Sequence, residues 1–227
     1  MNNWLDRTER LIGTEKLNIL KKSTIAIFGI GGVGSYVLEA LARSGIENLI
    51  IIDKDIVDIT NINRQLIATH SSIGQSKTSV AKKRLLDINP NCNVIAIKEF
   101  VNKENIVNIL NKYNIDYIVD AIDTVSSKLS IIQYANDNNI KIISCMGTGN
   151  KLDATKFEIT DINKTSVCPL SKVIRKELRK LNIPKLKVIY SKEEPKKINS
   201  NTPASISFVP SVAGLLIAGE VIRDIIN

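Results

Sequence analysis

Ser23-Thr-Ile-Ala-Ile-Phe28, followed at once by Gly29-Ile-Gly31-Gly32-Val-Gly34, decides the fold. A β-branched apolar run meets Gly-x-Gly-x-x-Gly, and Ser35 to Ser44 then shows helical spacing, which predicts strand, tight turn and helix. Working outward, Asn48 to Ile52 reads as a second buried strand ending at Asp53, and Ser76 to Leu86 as a helix. The alternation continues through Asn93 to Ile97 (strand), Lys103 to Asn111 (helix), Tyr117 to Val119 (strand), Ser126 to Ala135 (helix) and Lys141 to Ser144 (strand). Near-continuous Ile and Val in strands separated by helices predicts a parallel sheet covered on both faces, a Rossmann-like doubly wound α/β fold that is mostly parallel.

After about Gly147 the pattern changes. Lys156 to Thr160 reads as a strand, Pro169 to Leu181 as a basic amphipathic helix, and Lys187 to Tyr190 as a strand. Residues 191–203 mix Pro, Ser, Asn and charge without periodicity, which predicts a mobile loop. A strand at Ser205 to Val209 and a helix from Ser211, with that serine as N-cap, are expected to close the chain. Ala213, Gly214, Ala218 and Gly219 make one face of this helix small, as close packing requires. The chain therefore divides into 1–146 and a smaller extension of the same domain, 147–227.

The 227 residues are 44% apolar and 24% charged, which excludes disorder, collagen-like repeats and a disulfide scaffold. Lys and Arg number 31 against 23 Asp and Glu, a net charge of +8. That excess is local: Lys164 to Lys197 holds 11 basic and 3 acidic residues, leaving 20 of each elsewhere. It suggests a basic binding face. Cys92, Cys145 and Cys168 are odd in number and form no CxxC, so neither a disulfide framework nor a four-cysteine zinc site is expected. No stretch is long and apolar enough to span a membrane, and the N-terminus Met1 to Gly13 has no apolar core of a signal peptide, so a cytoplasmic protein is expected.

Gly29, Gly31, Gly32 and Gly34 lie between strand and helix, and Asp53 follows Gly34 by 19 residues at the end of the next strand. Such glycines let phosphate approach backbone N–H groups at a helix N-terminus, while the acid accepts from ribose hydroxyls. This fingerprint predicts a nucleotide site without choosing between a dinucleotide and ATP. Asp55, Asn61, Arg64 and Lys77 (Asp53-Lys-Asp55, Asn61-Ile-Asn63-Arg64-Gln65, Gly74-Gln-Ser-Lys77) add cations beside the phosphates. A nicotinamide site has little use for them, whereas expulsion of pyrophosphate needs them, because charge grows on the leaving phosphates. Taken singly, Arg64 or Lys77 also reads as a solvated surface charge.

These motifs together resemble the adenylating domain shared by ubiquitin-activating enzymes and the bacterial enzymes that adenylate sulfur-carrier proteins, over roughly Arg7 to Thr124. The resemblance implies that the glycine turn and Asp53 hold ATP, that Asn61, Arg64 and Lys77 contact its phosphates, and that Asp123 holds magnesium. It also implies a homodimer, with Arg10 reaching the neighbouring subunit's site. Local readings stay open: Asp120 as the magnesium ligand with Asp123 as a helix cap, and Arg10 paired with Glu9 or Glu15.

In the second half, Gly147-Thr-Gly149-Asn-Lys-Leu-Asp153, Asp161-Ile-Asn-Lys164-Thr165 and Cys168-Pro169-Leu170 look like the tRNA threonylcarbamoyladenosine dehydratases, a branch without the zinc cysteines of the carrier-adenylating enzymes. That resemblance covers essentially the whole chain. It implies ATP-dependent activation of the threonylcarbamoyl carboxylate on a tRNA adenosine, ring closure and release of AMP. Adenylation of a ubiquitin-like carrier and, further off, a nicotinamide-dependent oxidoreductase are the competing expectations. Once a carboxylate is adenylated, an internal nitrogen or oxygen can attack it at high effective concentration, so no catalytic cysteine is required.

Cys168 is expected to be a small buried hydrophobe rather than a reactive thiol, and His70, the single histidine, a loop residue rather than a general base. Lys172, Arg175, Lys176, Arg179 and Lys180 lie opposite Val173, Ile174, Leu178 and Leu181, which gives either a solvated face over an apolar stripe or a tRNA phosphate contact. Charge density favours the second reading. The sequence leaves open whether a monovalent cation or a sulfur-transfer protein partner takes part.

Overall fold

Short segments rich in Ile and Val build the centre of the sheet, because a strand buried on both faces must be largely apolar. In a computed structural model, which describes residues 3–200 and 202–227, the elements run α1 (Asp6–Ile12), α2 (Thr14–Lys22), β1 (Thr24–Phe28), α3 (Gly34–Arg43), β2 (Asn48–Ile52), α4 (Lys77–Ile88), β3 (Asn93–Ile97) and α5 (Ile106–Leu110). There follow β4 (Tyr117–Asp120), α6 (Val125–Asp137), β5 (Lys141–Cys145), β6 (Phe157–Asp161), α7 (Pro169–Lys180), β7 (Lys187–Ser191) and α8 (Phe208–Ile226). The strands form one seven-stranded sheet in the order β3-β2-β1-β4-β5-β7-β6, parallel except where β6 pairs antiparallel to β7 at the edge. This is the doubly wound α/β fold expected from the sequence. From the 147–227 segment, β6 and β7 join the same sheet and α8 packs against α3 and β5.

Alternate residues of each strand face opposite cores. Ile25, Ile27, Leu49, Ile51 and Val119 pack with α3, α4 and α8, while Ala26, Phe28, Ile50, Ile52 and Ile118 pack with α5 and α6. Each such isoleucine, fully buried, stabilises the fold by about 1.5–3 kcal/mol relative to exposure. A third cluster joins Ile174 and Leu178 of α7 to Val188 and Tyr190 of β7. Among the described residues no helix is long and apolar enough to cross a membrane.

The structure corrects the closing elements. Ser205 to Val209 is not a strand and Ser211 is not an N-cap: α8 begins at Phe208, and the Ser211 hydroxyl bonds back to the Phe208 carbonyl at 2.9 Å. Pro210 sits in the first helical turn, where a missing N–H costs nothing. The small face of α8 packs within the chain: a Cβ added to Gly214 would lie 2.4 Å from the Val33 carbonyl oxygen of the α3 N-terminus. Helices α1 and α2 have no counterpart in the sequence reading; Met1 and Asn2 of the expected N-terminal segment lie outside the described residues. The 191–203 loop, of which Asn201 lies outside the described residues, is tied down in its first half. Lys192 N–H donates to Lys156 O at 2.9 Å, Lys196 N–H donates to Asn150 O at 2.8 Å, and the Glu193 carboxylate accepts from the backbone of Leu152 and Asp153. Beyond it, Asn150 Oδ1 accepts from Ala204 N–H at 2.7 Å.

Candidate active site

The sheet order reverses between β1 and β4, and in doubly wound sheets the crevice at such a switch point, beyond the carboxyl ends of the strands, is where ligands bind. A cavity of about 330 Å³ opens there. Gly29, Gly31, Gly32, Asp53, Asp55, Asn61, Arg64, Lys77 and Asp123 all line it, so the structure brings together residues spread over 95 positions of sequence. The turn between β1 and α3 cannot be built with side chains. Gly29 has φ +86°, and a Cβ on it would meet the Ala121 carbonyl oxygen at 2.7 Å. Gly34 does not line the cavity; a Cβ there would lie 1.8 Å from Gly29 O, so its role is to let α3 start directly beneath the turn. The N-terminus of α3 thereby faces the cavity with unsatisfied N–H groups suited to phosphate.

At the end of β2, Asp53 Oδ2 accepts from Ile30 N–H at 2.6 Å and Oδ1 from Asp55 N–H at 2.8 Å, which locks the acid against the glycine turn. Burial raises its pKa above the ordinary aspartate value, against the opposing pull of Lys77. Lys77 is not a solvated surface charge: its side chain is 6% exposed and its Nζ lies 2.9 Å from Asp55 Oδ2. Its position is fixed by the backbone, because Lys77 N–H donates to Asp55 O at 3.1 Å. Arg64 is half-buried, and its Nη1 donates to Thr60 O and Asn63 Oδ1, both at 2.9 Å. Asn61 Oδ1 caps the preceding turn by accepting from Asp58 N–H.

Asp123 faces the cavity from the β4–α6 turn, and its recorded hydrogen bond is a long one of 3.4 Å from the Thr124 hydroxyl. Asp120 does not serve as the cavity's carboxylate: it is fully buried in an ion pair with Lys128, at 2.7 Å. Among the described residues no three His, Cys, Asp or Glu side chains cluster into a metal cage. Magnesium needs none, since it commonly binds through one or two carboxylates plus substrate phosphates, and Asp123 beside the glycine turn fits that donor set.

Several lining residues carry no motif. Phe100 and Val101 enter from beyond β3, Thr148 from beyond β5, Ser205 from the approach to α8 and Pro210 from its first turn. Two lining polar atoms, Gln65 Oε1 and Ser127 Oγ, are buried without a partner. Gln65 adjoins Arg64 in a motif and was open to notice; Ser127 carries no local signal. Arg10 is exposed on α1 and does not line the cavity, and among the described residues it forms no ion pair with Glu9 or Glu15. His70 is exposed and lies outside the cavity lining. All three thiols are buried, and burial pushes Cys92 up to about 11 and Cys145 up to about 12.

On α7 the stripe is narrower than expected: Ile174 and Leu178 are buried, whereas Val173 and Leu181 are exposed. Arg175 is committed inward, its Nη1 donating to Ile162 O, Thr165 O and Thr165 Oγ1 at 2.9–3.1 Å. Lys180 pairs with Glu177 at 2.7 Å. Lys172, Lys176 and Arg179 are exposed and form no ion pair among the described residues.

Residues 5–227 match the ThiF family. The chain is 43% identical to the tRNA threonylcarbamoyladenosine dehydratase of Bacillus subtilis, over all of this chain and 96% of that protein. It is 46% identical to the dehydratase of the same name from Haemophilus influenzae, over 75% of this chain and 65% of that protein, so it spans just under two thirds of that relative. The structure is similar to that of Escherichia coli tRNA N6-threonylcarbamoyladenosine dehydratase, TcdA, in complex with AMP, with TM-score 0.91, 31% identity, and coverage of 96% of this chain and 92% of TcdA. TcdA in complex with ATP matches with TM-score 0.90.

Proposed function

The chain belongs to the ThiF family, and from that premise we propose that it dehydrates N6-threonylcarbamoyladenosine in tRNA with ATP. What carries the reading is the convergence of the glycine turn, Asp53, Arg64, Lys77 and Asp123 on one cavity, in a chain that matches a dehydratase relative from end to end. The substrate carboxylate attacks the α-phosphorus of ATP and pyrophosphate leaves. The resulting acyl-adenylate is attacked by an internal nitrogen or oxygen, the ring closes, and AMP departs carrying the lost oxygen.

The chain's residues have separate tasks in this scheme. Asp53 receives the ribose hydroxyls and the α3 N-terminus with the glycine turn cradles phosphate. Arg64 and Lys77 neutralise charge growing on the leaving pyrophosphate. Asp123 is the residue that would hold magnesium, whose supplied chemistry is further neutralisation of the phosphates. Residues 1–146 supply this ATP-binding machinery, and 147–227 the tRNA-facing side through Lys172, Lys176 and Arg179, with Arg175 and Lys180 bracing the helix that carries them. We assign Arg10 to the cavity of a second copy in a homodimer, a reading supported by its exposure and by the exposed Leu215 and Leu216 on α8. A cytoplasmic location belongs to the same reading, supported by the tRNA substrate. The scheme itself requires neither a monovalent cation nor a sulfur-transfer partner.

Incubation with ATP, magnesium and threonylcarbamoyl-modified tRNA should yield a nucleoside lighter by one water on mass spectrometry, with AMP and pyrophosphate released. Unchanged nucleoside with folded protein, or pyrophosphate exchange only when a ubiquitin-like carrier is added, would overturn the reading.

A further inference from the structure

Beneath the cavity, β4 and β5 part company. Their parallel register ends at Asp120 opposite Ser144. Just beyond it, Ala121 N–H still donates to Phe28 O of β1 at 2.8 Å, while Met146 N–H, two residues after Ser144, donates to Ile189 O of β7 at 2.9 Å. Lys128, from the first turns of α6, fills the gap. Its Nζ donates to Asp120 Oδ2 at 2.7 Å, Cys145 O at 2.9 Å and Ser144 Oγ at 3.1 Å, so all three N–H groups are used. The Ser144 hydroxyl donates to Asp120 Oδ2 at 2.5 Å, and Asp120 Oδ1 accepts from Ile122 N–H at 3.2 Å. Asp120, Ser144 and Lys128 are all 0% exposed.

Stability alone is a poor reason for this arrangement, since replacing a buried ion pair by well-packed apolar groups is often neutral or stabilising. Its geometric consequence is specific. Lys128 occupies the Cys145 carbonyl, which frees the chain after Asp120 to leave β5 and turn over Gly29. Both ends of that short turn, Asp120 before it and Lys128 after it, are held by one buried network, and Asp123 is the carboxylate the turn presents to the cavity.

We propose that Lys128, through Asp120, is the positioning residue that fixes Asp123 for magnesium-bound ATP. The inference rests on the adenylation reading above and on Asp123 as the magnesium-holding carboxylate. Calorimetric titration of ATP with and without magnesium tests it, on wild type and on the neutral pair Asp120→Asn/Lys128→Met. The expected result is unchanged affinity for ATP alone and about tenfold weaker affinity for magnesium-ATP, the scale typical of losing an outer partner of a metal ligand. In an Asp123→Asn background the same two changes should add nothing further, because they act through that residue. Magnesium-ATP affinity equal to wild type, or a loss that persists undiminished in the Asp123→Asn background, overturns the proposal while leaving the adenylation reading intact. Wild type that binds no ATP overturns both. If the neutral pair does not fold, Ser144→Ala takes its place with a smaller loss confined to the magnesium-dependent part, and no such loss overturns the proposal.

Discussion

Lys77 and Arg64 reach the cavity under different constraints. Lys77 is buried and held by Asp55, whereas Arg64 hangs from backbone and side-chain oxygens that it can release to a phosphate. Either residue changed to alanine should slow adenylate formation by about 10²–10³-fold, the usual cost of losing one preorganised charge-stabilising group, with tRNA binding spared. Pyrophosphate exchange alongside a tRNA filter-binding assay checks this, and equal exchange rates would leave Arg64 a surface charge and Lys77 only a buried partner of Asp55. Ser127 poses the opposite test. A buried polar atom without a partner costs about 1–3 kcal/mol, so Ser127→Ala should leave the ligand-free protein as stable as wild type or up to about 1 kcal/mol more stable. If its hydroxyl completes its bonding on ligand, the same variant should show a smaller rise in melting temperature on adding magnesium-ATP. A full-sized rise would assign Ser127 to packing alone.

Elements were legible in the sequence where burial wrote the pattern. β2 falls on the expected residues because Leu49 to Ile52 are buried between two apolar faces, β3 because Val94 to Ile97 are buried or half-buried beside it, and α7 because Ile174 and Leu178 recur beneath a charged face. Helices α1 and α2 escaped because α1 buries no residue and α2 only Leu17 and Leu20. The Ser-Ile-Ser-Phe-Val run imitates a strand, yet Ile206 and Phe208 are exposed, so its alternation reports no buried face. The site divides in the same way. Each motif is contiguous in sequence and could be read there, whereas Phe100, Thr148, Ser127 and the Lys128 network meet only through the packing of separate strand ends. For α7, the structure sharpens which charges are free. Replacing Lys172, Lys176 and Arg179 together by glutamine should weaken tRNA binding and flatten its dependence on log salt by up to about 3 units, with ATP affinity retained. Arg175→Ala should instead lower the melting temperature, because three buried or half-buried oxygens lose their donor. An unchanged salt slope in the triple variant would make α7 a solvated face.

Across the whole molecule, α8 connects the active cavity to the amino ends of the strands. In its first turn Pro210 lines the cavity against Gly32, and its 19 residues, about 28 Å of helix, end at the opposite end of the strands. There it is clipped to the first residues of three strands. Tyr117 Oη donates to Asp224 Oδ2 at 2.6 Å, Lys187 Nζ reaches Asp224 at 2.6 Å and Glu220 at 2.8 Å, and Lys141 Nζ donates to Asp224 O at 2.7 Å. Partial burial alone would raise the carboxylates, but the bonds from Lys187, with Tyr117 at Asp224 and Arg223 at Glu220, bring both below their ordinary values. Burial likewise opposes the charge of Lys187, yet its two acidic partners hold it above the ordinary lysine value. The signs set a pH window. Carboxylates with depressed folded pKa values stabilise the fold above their unfolded values, near 4, and lose that contribution as pH falls through the folded values. The raised lysine contributes fully below its unfolded value, about 10.4, and loses its share as pH rises through the folded one. Asp224→Asn should therefore cost about 1 kcal/mol at pH 7, where the pair is charged but partly screened by solvent, and the difference from wild type should shrink as pH drops below about 4. Urea midpoints for both proteins from pH 3 to 8 measure this. A difference independent of pH would mean that Asp224 acts through its shape and neutral hydrogen bonds, and that α8 is held along its length by Gly214 and the apolar core rather than clipped at its end.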